Sequence, residues 1–75
     1  MLGFDLVDLI SGERIAEYST VHDALRDVWD VLQLGGETAV VGIRLEYEDD
    51  SGRTRVLAEG PRLVKLAVLT HLGRN

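Results

Sequence analysis

From Val21 onward the apolar positions fall at three- and four-residue steps. Val21, Ala24, Leu25, Val28, Val31 and Leu32 share one helical face, while His22, Asp23, Arg26, Asp27, Asp30 and Gln33 occupy the other. Thr20 can accept from the free amides of the first turn, Asp23 suits the positive end of the helix, and Gly35 with Gly36 is expected to end it. Before this helix the period is shorter. "FDLVDLI" is rich in β-formers and stops at Ser11 and Gly12, and "RIAEY" follows, which reads as a hairpin with a glycine-containing turn.

The stretch "TAVVGIRLEYE", residues 38 to 48, alternates. Ala39, Val41, Ile43, Leu45 and Tyr47 point one way, and Thr38, Val40, Gly42, Arg44, Glu46 and Glu48 the other, which predicts a strand with one core face and one wet face. "DDSG" supplies turn residues, and "RTRVLAE" returns as the second arm of another hairpin. Gly60 and Pro61 then open a helix reaching about Leu72 and closed by Gly73. Ser11 and Gly12 recur as Ser51 and Gly52, 40 residues on, each followed by a strand-like run and a helix start. The repetition lies in punctuation only: at that offset Ile15 faces Arg55 and Glu17 faces Leu57. The predicted architecture is α+β, in the order ββαββα over residues 1–75 as one small domain. It has a four-stranded, mostly antiparallel sheet with both helices on one face; the strand order stays open.

The second helix differs from the first. Leu63, Val64, Leu66, Ala67, Val68, Leu69 and Leu72 spread round most of its circumference, and a helix apolar all round has to be covered all round. One sheet covers one side, so the other needs the first helix, a second copy of the chain, or another protein; a fifth strand over "RLVKLAVL" is the alternative. Leu63, Leu66, Leu69 and Leu72 are therefore candidate interface residues. Trp29, at the edge of the first helix's apolar stripe, joins them.

Composition sharpens this picture. A domain of 75 residues hides only about 60% of its unfolded surface. Without cysteine it has no disulfide or thiolate cage to add stability, which turns attention to its aliphatic core or a partner subunit and favours the cytoplasm. The start "MLGFDLVDLI" carries Asp5 and Asp8 and no basic residue, so it makes a poor signal peptide and is too short to cross a bilayer. The net charge of −5 conceals a division: residues 1 to 50 hold twelve acids and three bases (−9), and residues 51 to 75 one acid and five bases (+4). Asp23, Asp27 and Asp30 lie together on one helix face as a candidate acidic docking surface, and Arg44, Arg53 and Arg55 form a candidate basic patch on the second hairpin. That patch lacks interleaved aromatics, and the chain as a whole is acidic, which argues against nucleic acid as the partner.

Candidate chemistry is absent from the pattern. His22 and His71 stand far apart with no ligand spacing around either, where a metal needs three or four convergent donors. Ser11 and Ser51 precede turn glycines and have no adjacent base, and Gly35 and Gly36 follow a helix instead of opening one around a phosphate. The sequence therefore describes neither an enzyme nor a cofactor-binding protein.

The opening stretch "FDLVDLISGERIAEYSTVHDAL" resembles a type of short uncharacterised bacterial protein in which a strand, a Thr/Ser-Gly turn, a second strand and a Thr- or Ser-capped helix follow in order. It covers less than half of the chain. The matching residues, Ser11, Gly12, Thr20, Ala24 and Leu25, are structural, so the resemblance implies a piece of fold and no activity. The same hairpin-to-helix step is similar to that of HicB-type antitoxins, which carry a further strand before the helix that this sequence lacks. Two readings result. In the first, the chain is a non-enzymatic, homodimeric protein-interaction module in the cytoplasm, with no membrane association. In the second, it is a small antitoxin-like or transcription-regulatory protein contacting DNA through the second hairpin.

Overall fold

In the computed structural model, which describes residues 3–73, each hairpin predicted from its turn residues is present. The elements are β1 (Gly3–Asp8), β2 (Arg14–Tyr18), α1 (Val21–Val40), β3 (Ile43–Glu48), β4 (Thr54–Glu59) and α2 (Pro61–Leu72). The strands form one sheet in the order β2-β1-β3-β4, every neighbouring pair antiparallel. The Ser-Gly echo is structural: Gly12 and Gly52 both take positive φ (76° and 84°), the region a turn glycine enters without steric cost. Each amide bonds back to an aspartate carbonyl, Gly12 to Asp8 at 2.7 Å and Gly52 to Asp49 at 3.0 Å.

Directly paired residues point to the same side of a sheet, so the register defines its two faces. Ala16, Leu6, Leu45 and Ala58 make one cross-strand row. Leu6, Leu45 and Ala58 belong, with Ile43, to a core completed by Ala24, Leu25, Val28 and Val40 of α1 and Leu63 and Ala67 of α2. Both helices thus cover one face. The shortest principal dimension, 17 Å, leaves room for the sheet and one helix layer about 10 Å across, so the opposite face is bare.

The strand predicted over residues 38 to 48 is shorter than its alternation suggested. Thr38 to Val40 belong to the last turn of α1, and pairing starts at Ile43. The helix that starts at Val21 breaks at the expected glycine pair, where Gly36 leaves helical geometry (φ 72°, ψ −173°); a second, short helical segment, not expected from the strand pattern, follows the kink and is capped where the Val41 N–H donates to the Glu37 carbonyl. The resumed turn carries Val40 into the core, where it is fully buried, and that burial outweighs a local β pattern.

Both edge strands carry an extra residue opposite a single partner position. The register skips Ile15 in β2, between the pairs Leu6–Ala16 and Val7–Arg14, and Leu57 in β4, between Leu45–Ala58 and Glu46–Val56. Bulges of this kind bend a strand and blunt its free edge against pairing with another chain.

Candidate functional surface

The acidic face of α1 is in part already engaged. Asp23 accepts from Arg26 at 3.2 Å, and its backbone N–H donates to the capping Thr20 hydroxyl at 3.1 Å. Asp27 is half-buried and accepts the Tyr18 hydroxyl at 2.7 Å, tying α1 to β2. Burial first, and then the hydrogen bond and charge of Asp27, push the Tyr18 phenol well above its ordinary range. Asp30 is exposed. Of the three aspartates, only Asp30 and the outer part of Asp23 remain for a partner.

The basic patch does not assemble. Arg44 pairs with Glu59 across the strands and lies on the bare face, its Nε 2.7 Å from Glu46. Arg55 pairs with Tyr47, an odd number of residues from Arg44 and hence on the helix-bearing side, and Arg53 sits in the connecting turn. In that turn the Asp49 carboxylate accepts from the Ser51 hydroxyl (2.6 Å) and from the amides of Ser51 (2.9 Å) and Arg53 (3.0 Å). The Ser51 hydroxyl, with those amides and the nearby Arg55 charge, holds the Asp49 carboxyl below the usual range. Pattern along one hairpin placed the three arginines close in sequence, but side-chain alternation sends them to different surfaces.

The candidate interface residues divide as well. Leu63 is fully buried in the chain's own core and is unavailable to a partner. It faces the sheet because the helix start at Pro61 sets its phase. Leu66 is half-buried against the core, and Leu69 and Leu72 are 55% and 63% exposed. Trp29 is half-buried, its ring stacked on that of His71 with centroids 3.9 Å apart and planes 9° from parallel. The second helix is therefore covered by the sheet on one side and partly by α1, with its C-terminal leucines left open.

The bare sheet face brings together charged residues from four strands, a grouping that is not visible along any one strand. Glu17, Asp5 and Glu46 form one cross-strand row; Arg14, Val7, Arg44 and Glu59 form the next; Glu48 and Thr54 lie on the far side. Arg14 Nη1 lies 3.1 Å from Glu17, and Arg14 Nε 3.8 Å from Asp5 Oδ1; Arg44 Nη1 lies 3.8 Å from Glu59. Asp5 and Val7 are buried beneath these side chains and help line a shallow depression with Gly12, Arg14, Arg44, Glu46, Glu48 and Thr54. The available signal was Asp5 inside an apolar run together with the alternating Arg44, Glu46 and Glu48. It becomes a surface only because β1 and β3 are neighbours.

Among the described residues no group of three or more His, Cys, Asp or Glu is placed to hold a metal ion, and no helix is long and apolar enough to cross a membrane. Comparison with known proteins finds no matching family model and no similar curated protein or solved structure.

Proposed function

We propose that the chain is a non-enzymatic protein-interaction module acting as a homodimer in the cytoplasm, with the outer side of α2 at the contact. The observation that carries this reading is the pair Leu69 and Leu72, one helical turn apart and each more than half exposed in a single chain. Covering each side chain contributes on the order of 1.5–3 kcal/mol at most, a large share of a small domain's stability. The bulged edges of β2 and β4 discourage edge-to-edge pairing, which favours the helix as the contact. A chain with no cysteine suits a reducing compartment.

Light scattering at micromolar concentration tests this reading, with a dimer expected. Because Leu69 is exposed within the protomer, Leu69→Asp should give a folded monomer, recognised by an unchanged circular dichroism spectrum. Leu63→Ala, by contrast, should destabilise the fold itself by about 2–5 kcal/mol, as for other fully buried leucines. A wild-type chain that is folded and monomeric at that concentration refutes the homodimer.

A further inference from the structure

We propose that the helix-free face of the sheet docks a basic segment of a partner polypeptide, one lysine or arginine side chain of which donates to the Asp5 carboxylate. This surface lies across the sheet from the helices and is separate from the α2 contact.

Two independent observations point there. The first is charge. The face presents five carboxylates, Asp5, Glu17, Glu46, Glu48 and Glu59, against two guanidiniums, Arg14 and Arg44, leaving it three charges negative. The two arginines are shared among Glu17, Asp5, Glu46 and Glu59, with Asp5 holding only the longer, 3.8 Å contact to Arg14, and Glu48 has no arginine among these pairs. The second is Asp5 itself. The residue is only 9% exposed, and its Oδ1 has no hydrogen-bond partner among the described residues; the nearest cation, Arg14 Nε, stands 3.8 Å away, beyond hydrogen-bonding distance. A buried carboxylate oxygen without a donor is costly, and its directly paired neighbours on both sides, Glu17 and Glu46, are also acidic, which adds repulsion. A buried polar atom of this kind calls for a donor from outside the chain.

The geometry leaves a way in. On the same face, two residues before Asp5, stands Gly3, where a Cβ would meet within 4 Å only the Tyr18 carbonyl oxygen, at 3.7 Å. Gly3 adds no side chain to this end of the face, where a small part of the Asp5 side chain stays exposed (12%), and Glu48 lies opposite Gly3 to hold a second cation. Self-association through this face would set one net negative surface against another, and nucleic acid would be repelled by it, so a basic polypeptide is the occupant that the charge selects.

The test is a titration of the isotopically labelled full-length protein with oligolysine and oligoarginine peptides at low salt, followed by amide NMR shifts and by affinity. Shifts should centre on β1 and β3 around Asp5, Glu46 and Glu48. Asp5→Asn should weaken binding about tenfold, as for loss of a charge-assisted hydrogen bond, without lowering the melting temperature. Glu48→Gln, a second variant distant from the core, should weaken it to a lesser degree, and Asp23→Asn with Asp30→Asn should leave it unchanged. Shifts confined to α1, equal weakening by the α1 variants, an Asp5→Asn protein that melts lower yet binds as wild type, preferential binding of duplex DNA to this face, or no binding at low salt would each overturn the proposal.

Discussion

Trp29 of α1 and His71 of α2 lie ring on ring, 3.9 Å between centroids and 9° from parallel. The pair joins the middle of the first helix to the last turn of the second, where α2 has left the protection of the sheet and Leu69 and Leu72 are exposed. Aromatic stacking of this kind contributes about 0.5–1.5 kcal/mol beyond the area it buries.

His71→Ala should therefore lower stability by about that amount and shift the emission of Trp29, the chain's single tryptophan, to longer wavelength as its ring gains water. Fluorescence-monitored urea unfolding measures both effects. An unchanged spectrum and midpoint would show that the stack does not hold α2 in place.

The kink in α1 depends on two glycines for different reasons. At Gly36 the backbone has φ 72° and ψ −173°, a region open to almost nothing but glycine that costs an L-residue roughly 1–3 kcal/mol, so Gly36→Ala should destabilise by about that much. At Gly35 the obstacle is space: an added Cβ would stand 2.7 Å from the Ala39 Cβ, forcing the two helical segments apart. Gly35→Ala should consequently disturb the packing of Val40, and the double change Gly35→Ala with Ala39→Gly should recover part of the loss. Thermal denaturation of the three variants separates strain from crowding.

Stability should decline on both sides of neutrality for reasons that can be assigned. The Asp49 carboxyl titrates below its ordinary value, so what its turn contributes is present above about pH 4 and is lost as pH falls through the lower folded value. The Tyr18 phenol titrates above its ordinary value, so its contribution is present below about pH 10 and is lost as pH rises through the higher folded value. In a Tyr47→Phe background, where Tyr18 is the only tyrosine, phenolate absorbance should appear at higher pH than in the unfolded chain. Adding Asp27→Asn should bring it only part of the way back, since burial is the larger cause. A complete return would instead make Asp27 the dominant influence.

Local chemistry along the chain was sufficient for the ββαββα order. Thr20 accepts the Asp23 amide as a helix cap, Ser-Gly turns close both hairpins, and Pro61 starts α2, because caps and turns are satisfied within a few residues and need no distant partner. Tertiary packing decided everything that joins separate segments. Val40 went to the helix instead of the strand because the core had room for it there, and Leu63 turned inward while Leu69 turned out because α2 meets the sheet along one side only. Arg44 and Arg55, neighbours on one hairpin, were parted by the pleat, whereas Asp5, Glu17 and Glu46, drawn from three strands, were brought into one row. A cross-strand row depends on strand order and register, which follow from how the whole core packs and are written in no single stretch of residues.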